Sequence, residues 1–473
     1  MIKKISFGTS GWRDIIADGF TFEKVRALTR AIAMDLKKRR QAKRGIVIGH
    51  DARFLSEEFT SEAAKIMSEE GIKVYLVLGP TPTPVLANVI LDLKLAGGIN
   101  FTASHNPAFY QGMKWSNQYG GPASKAEIRP IEEEANRILA QKNYKPRQAK
   151  IKGEIVKYNP KKNYFKKLYQ RVNKTTLSRA KLKVIADPLY GAGRGYLAEA
   201  LQQVGCQTEV VHNWRDTLFG GNNPEPDAEN LSVAAALMQK RRYHLTLGTD
   251  GDADRFGVVD RDGTYITPNQ VLALTLYLLV EHRKLKGRVV RSVVTSHLVD
   301  ALAEFYGLEV EVTPVGFKYI CESMVRGGFL VGGEESGGLT IVKHVPEKDG
   351  ILACLLMAEL VASEKQSLKN ILKKIYKRVG NIFTDRINVK LHDLKIGPKL
   401  RQKLDEYTPQ KLAGKSVVKV NRMDGYKYLL ADDSWLAIRL SGTEPVARLY
   451  LEAKDIKTLK SLTLTGKKIL TSV

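Results

Sequence analysis

Along most of the chain, short compact apolar runs alternate with segments whose apolar positions recur at helical spacing. Val25, Leu28, Ile32 and Leu36 fall on one helical face behind Thr21, a suitable N-terminal cap. Gly45–Gly49 reads as a buried strand, with His50-Asp51-Ala-Arg53 opening the loop beyond it. A helix over 56–70, a strand over 72–78, a turn marked by Pro80, Pro82 and Pro84, and a helix over 85–93 follow. The run Gly98-Gly-Ile-Asn-Phe101 then leads into Thr102-Ala-Ser-His-Asn-Pro107. The same grammar returns in strands predicted at 183–187, 245–248, 289–294, 309–312 and 329–331. Strands separated by helices imply parallel pairing.

The last ninety residues read differently. Residues 386–391 alternate apolar and polar, as a half-exposed strand does. Residues 417–420 and 426–430 flank Asp424-Gly425, a hairpin signal, and two more strands are predicted at 436–440 and 447–451. A closing helix begins near Asp455. The predicted architecture is α/β: three repeated α/β domains with mixed, mainly parallel sheets, then a C-terminal α+β domain with an antiparallel sheet, around a central cleft. The expected boundaries are 1–153, 154–264, 265–384 and 385–473.

At 473 residues the chain exceeds one ordinary core. It is 43% hydrophobic and 26% charged, the balance of a soluble globular protein. No apolar run approaches the roughly 18 residues of a membrane span, and no signal peptide is visible, so a cytoplasmic location is expected. Cys206, Cys321 and Cys354 lie far apart without metal spacing, which fits a reducing compartment. The net charge of +25 raises nucleic-acid binding. The basic residues are scattered, however, and a linker at 142–152 holds several of them. No zinc-finger, RNP-like or basic-zipper pattern accompanies them. A solvated lysine-rich surface that attracts anionic substrates is the reading taken, with nucleic acid not expected.

Four stretches carry chemistry. Ser104 beside His105 follows a buried strand, the place where α/β sheets put functional groups. Asp250-Gly-Asp-Ala-Asp254 sets three carboxylates on one loop, which repel without a cation. A hard divalent ion with oxygen ligands resolves that repulsion. An EF-hand would need a glutamate where Arg261 stands, and a helix where a strand is predicted. Gly332-Gly-Glu-Glu-Ser-Gly-Gly338 offers carboxylates and a hydroxyl, either for sugar hydroxyls or merely for solvent. Arg439-Leu-Ser-Gly-Thr-Glu-Pro445 combines arginine, hydroxyls and free backbone N–H groups, as a phosphate cradle does. Gly8–Arg13 reads as a glycine-punctuated loop ending in arginine. Gly191-Ala-Gly193 lacks the full dinucleotide fingerprint.

Taken in this order, the four motifs, with Asn223-Pro-Glu-Pro226 and Thr313–Lys318, resemble the α-D-phosphohexomutase superfamily over nearly the whole chain. The resemblance implies a phosphoserine at Ser104, exchanging its phosphoryl group with a hexose phosphate through a bound 1,6-bisphosphate, which also serves as activator. It implies Mg2+ held by Ser104, Asp250, Asp252 and Asp254. Arg13, His105, Lys114 and Arg255 match positions around the phosphoserine. Lys114 is the candidate for proton transfer, a role that needs a lowered pKa. Gly316, Lys318, Glu334, Ser336 and Lys348 match substrate-facing positions. Arg439, Ser441, Gly442, Thr443 and Arg448 match the grip on the non-reacting phosphate. One departure is Gly338, where many bacterial members that accept both glucose and mannose carry histidine. That leans towards glucose phosphates with mannose as a second substrate. A phosphoglucosamine mutase, a phosphatase and a nucleic-acid binder are the rivals. The expected assembly is a monomer or small homo-oligomer.

Overall fold

The computed structural model describes residues 4–8, 11–141, 144, 149–391, 396–440 and 446–471. Four sheets divide the chain into four domains. In the first, the strands run in the order Phe7–Gly8, Gly11–Ile15, Tyr110–Asn117, Gly97–Phe101, Ile46–His50, Val74–Pro80, Ile155–Tyr158. The last four pair in parallel, joined by helices Ser56–Glu69 and Thr83–Asp92, while the first three add on antiparallel. Strand Ile155–Tyr158 lies beyond residue 153 in sequence but closes this sheet. The glycine-punctuated loop expected at 8–13 is instead an antiparallel pair of strands at the sheet edge, flanking residues 9 and 10. Gly11 permits this with φ +120°, and a Cβ there would stand 2.8 Å from the Met113 carbonyl oxygen.

The second sheet orders Tyr265–Ile266, Phe256–Asp260, Leu245–Thr249, Lys183–Asp187 and Gln207–Val210. The third orders Val310–Thr313, Arg288–Ser292, Phe329–Gly333 and Leu339–Ile341. Each is parallel in its crossover strands and antiparallel at the hairpin side. Between them lies helix Gly350–Glu364, buried from Gly350 through Ala362 and apolar over that span except for Glu359. A helix without a polar stripe must be enclosed on all sides. Here it joins the second and third domains into one continuous apolar core.

The fourth sheet is antiparallel throughout: Phe383–Lys390, Val446–Ala453, Trp435–Leu440, Tyr426–Leu430, Lys415–Asn421, Lys411–Leu412. Gly425, at φ +87°, makes the turn expected at Asp424-Gly425. Helix Ile456–Thr471 packs on this sheet. The domain has its own core and meets the third through Trp435, Ala437 and Tyr450 against Val293 and Val294. Among the described residues, no helix is long and apolar enough to cross a membrane. The linker expected at 142–152 lies partly outside the described residues.

Candidate active site

Strand Gly97–Phe101 is wholly buried and delivers the chain into the Ser104 loop. Ser104 holds φ +52°, a left-handed conformation that costs a non-glycine residue about 1–3 kcal/mol. The surrounding structure must therefore impose it. Thr102 Oγ1 accepts the Ser104 N–H at 2.8 Å. Arg53, fully buried, does the rest. Its guanidinium donates to the carbonyls of Ser104 (2.7 Å), Asn106 (2.6 Å), Pro107 (2.7 Å) and Tyr110 (3.0 Å), and to Asp51 Oδ2 (3.2 Å). A planar five-donor fork is the group that can do this. Arg13, on strand Gly11–Ile15, donates to Asn106 Oδ1 at 2.7 Å.

Strand Leu245–Thr249 is likewise buried and opens into the acidic loop, with Ala253 at φ +55° turning it. The strand before this loop excludes an EF-hand geometry, as the sequence anticipates. Asp250, Asp252 and Asp254 are fully enclosed, and one oxygen of each lies within 4.8 Å of the others. Ser104 Oγ donates to Asp250 Oδ2 at 2.8 Å across 146 residues of sequence. Gly251 makes that approach possible: a Cβ there would stand 2.5 Å from the Ser104 carbonyl oxygen. Asp252 Oδ2 accepts from Thr83 Oγ1 (2.5 Å) and Lys114 Nζ (2.5 Å). Asp254 Oδ2 accepts from Lys114 Nζ (2.9 Å) and forms an ion pair with Lys348 Nζ at 3.0 Å. The Oδ1 atoms of Asp252 and Asp254 are buried without a partner. Two orphaned carboxylate oxygens in an all-oxygen set suit a hard divalent cation.

The electrostatics are divided. Burial, with Asp252 and Asp254 adjacent, drives the Asp250 carboxyl well above its usual range. Asp254 is held well below: burial opposes ionisation, but Lys114, Lys348 and Arg255 outweigh it. Burial lowers the Lys114 pKa, yet Asp252 and Asp254 more than offset this and raise it. In this arrangement Lys114 is a held cation, opposite to the lowered pKa that proton transfer calls for. His105 is pushed well below the ordinary histidine range by burial, then by Arg255, Arg13 and Arg386. Its Nδ1 has no partner, and the Ser104 hydroxyl bonds to Asp250. Neutral His105 is therefore not arranged as a base for Ser104.

Glu334 follows the buried strand Phe329–Gly333, and its Oε1 accepts the Gly316 N–H at 2.7 Å. Burial, with Glu335 alongside, pushes its carboxyl up to about 7. Gly338 bridges to Arg255 through the backbone, and a Cβ at 338 would stand 2.4 Å from Lys348 Cδ. The absent side chain is what lets Lys348 cross to Asp254. Ser336 borders a cavity of about 490 Å3 walled also by Glu335, Arg386 and Tyr450. Lys318 projects over the Tyr319 ring.

Arg439 and Arg448 stand opposite each other on neighbouring strands. Like charges so placed repel and invite an anion. Arg439 is held at 3.0 Å by Asp424, whose Oδ2 also accepts the Val315 N–H at 2.9 Å. Ser441, Gly442 and Thr443 lie outside the described residues. The structure thus brings Ser104, Lys114, the three aspartates and Lys348 into contact, and it ties Arg439 to the Gly316 loop through Asp424. Sequence reasoning missed Arg53, Thr83, Gly251 and Asp424. Arg53 had one usable signal, a charged pair with Asp51 immediately after a buried strand.

Models of four phosphoglucomutase/phosphomannomutase domains match the chain: alpha/beta/alpha domain I over 4–142, domain II over 162–263, domain III over 267–379 and the C-terminal domain over 387–463. The chain is 28% identical over 464 residues to a phosphoglucomutase/phosphomannomutase of Thermococcus kodakarensis, covering 98% of both. It is 29% identical over 469 residues to a phosphoglucosamine mutase of Caldicellulosiruptor bescii, covering 96% of both. A crystal structure of a Thermus thermophilus protein named as a phosphomannomutase superposes with a TM-score of 0.85 at 33% identity, covering 99% of this chain and 100% of that one.

Proposed function

The chain belongs to the phosphoglucomutase/phosphomannomutase family, and from that membership we propose that it interconverts hexose 1-phosphates and hexose 6-phosphates through a phosphorylated Ser104. The observation that carries the reading is the 2.8 Å contact of Ser104 Oγ with Asp250, in a site where Lys114 bridges Asp252 and Asp254. Phosphoryl transfer asks for positioning and charge neutralisation more than for covalent chemistry by the protein.

Ser104 gives its phosphoryl group to the free hydroxyl of a hexose phosphate, forming a 1,6-bisphosphate that reorients and returns the other phosphoryl group. Arg53 and Thr102 hold the serine in its left-handed conformation throughout. Asp250, Asp252 and Asp254, beside Ser104, would hold a Mg2+ ion, which when bound would supply positive charge to neutralise the transferring group. Arg13, Lys114 and Arg255 add fixed cations, and His105, kept neutral, orients the phosphoryl group. Glu334 and Ser336 bind sugar hydroxyls, with Gly316, Lys318 and Lys348 framing them. Arg439, Ser441, Gly442, Thr443 and Arg448 grip the phosphate that is not reacting. Glucose phosphates are the preferred substrates and mannose phosphates the second, on the strength of Gly338. The three cysteines are buried and unpaired, which suits the cytoplasm.

The test is one panel: glucose, mannose and glucosamine 1-phosphates with Mg2+ and a trace of hexose 1,6-bisphosphate, for wild type and Ser104→Ala. The expected result is isomerisation fastest with glucose 1-phosphate and at least a thousandfold loss in the variant. A variant with near-wild-type turnover overturns the phosphoserine. Glucosamine 1-phosphate as the best substrate would reassign the specificity, and net phosphate release would reassign the reaction.

A further inference from the structure

A cavity of about 1040 Å3 lies between the second and third domains, lined by none of the residues assigned above. Its charge is one-sided. Arg171, Arg179, Arg261, Arg283 and Lys365 line it, against Glu359 as the one carboxylate. That carboxylate is already engaged: Arg283 donates to it at 2.7 and 3.2 Å, and the Asn173 N–H at 2.9 Å. Arg171, Arg179, Arg261 and Lys365 have no ion-pair partner among the described residues. The Arg171 Nε is buried without any hydrogen-bond partner. An arginine half-sunk beside a second arginine, with no counter-charge, is a costly arrangement unless an anion completes it.

The hollow also has an apolar side, formed by Val172, Leu182, Val361 and Ala362. Its volume is at the upper end of small-molecule sites, far more than a single phosphate fills. A cationic rim over an apolar wall suits a ligand with several negative charges and a flat or apolar body. We propose that this cavity is a second ligand site, for a phosphorylated metabolite of nucleotide size such as a nucleoside triphosphate. The groups come from both domains: residues 170–182, 244 and 261 from the second, and 282–283 and 359–367 from the third. Part of the unusually basic composition thereby acquires a purpose, since Arg171, Arg179, Arg261 and Lys365 have no ion-pair partner among the described residues.

The proposal is independent of the mutase reading and is tested by binding. ATP is titrated calorimetrically into the full-length protein in chelator and about 0.15 M salt, where surface attraction is screened over some 8 Å. Inorganic pyrophosphate and adenosine are titrated in parallel. Submillimolar ATP binding is expected, at least tenfold tighter than either fragment. Arg171→Gln/Arg179→Gln should weaken it at least tenfold, with melting temperature and hexose-phosphate turnover unchanged. Absence of ATP binding at millimolar concentration overturns the site. So does unchanged affinity in the double variant, which would place ATP elsewhere, and so does pyrophosphate binding as tightly as ATP. If that variant folds poorly, the exposed pair Arg261→Gln/Lys365→Gln carries the same test.

Discussion

Gly251→Ala isolates the approach of the acidic loop to the serine loop. Glycine here is not required by backbone conformation, since its φ lies outside the left-handed region. The alanine Cβ would stand 2.5 Å from the Ser104 carbonyl oxygen and 3.1 Å from Pro224 Cγ. A carbon–oxygen contact relaxes to about 3.3 Å, so the two loops must part by about 0.8 Å. Overpacking of this kind costs about 1–3 kcal/mol, against roughly 5–15 kcal/mol for a folded protein, so the variant remains folded. Activity should suffer more. A misplacement near 1 Å can cost about a hundredfold in rate, which puts the expected fall in kcat at roughly 30- to 100-fold. Steady-state turnover of glucose 1-phosphate and urea unfolding measure the two effects separately. Gly397→Ala is the control, because a Cβ there meets nothing within 4 Å. A Gly251→Ala kcat within threefold of wild type would refute the claim that this close approach sets the placement of Ser104 against Asp250.

Arg53→Lys keeps the charge but loses the fork. With the buried Ser104 carbonyl and its neighbours losing their shared donor, unfolding free energy should fall by about 1–3 kcal/mol, read from urea melts, and kcat should fall with it. Burial, with Glu335 alongside, pushes the Glu334 carboxyl up from its ordinary value to about 7 in the folded chain. The folded state thus binds more protons than the unfolded state between those values. Stability should fall as pH rises through that window, by up to about 1.4 kcal/mol per unit, and Glu334→Gln should flatten the slope; an unchanged slope refutes the assignment. Asp424→Ala removes the tether between Arg439 and Val315. A hydrogen bond to a charged group contributes about 1.5–3 kcal/mol, so KM for hexose phosphate should rise about tenfold or more with a smaller change in kcat. An unchanged KM would show that Arg439 needs no such support.

The parts of the site that lie within one stretch of chain were legible because their chemistry is local. Three aspartates two residues apart repel wherever they are placed, and the loop just past a buried strand is where α/β sheets put their functional groups. What escaped the sequence depends on distant partners. Arg53 looks like an ordinary loop arginine until its four carbonyl acceptors, 51 to 57 residues away, are in place. Gly251 looks like a loop glycine until Ser104 is beside it. The N-terminal strands were hidden for a related reason: Gly11–Ile15 is short, and pairing with Tyr110–Asn117 rather than local propensity makes it a strand. Lys114 was found, but its state was not, because Asp252 and Asp254 reach it from another domain. In the fold, the apolar helix Gly350–Glu364 shows why the second and third domains read as separate in sequence while sharing one core.

The 146 residues between Ser104 and Asp250 have a consequence for biosynthesis. A nascent chain that has emerged only as far as the first sheet can already close the serine loop on Arg53, because every partner in that clasp precedes residue 111. It has no acidic face opposite the serine until the loop at 250–254 has followed. The latter half of the third domain must also emerge before Lys348 can reach Asp254. Domains generally fold in order as they are made. The enzyme therefore spends much of its synthesis with a shaped serine and no counterpart to it, and competence arrives late, with the docking of preassembled pieces.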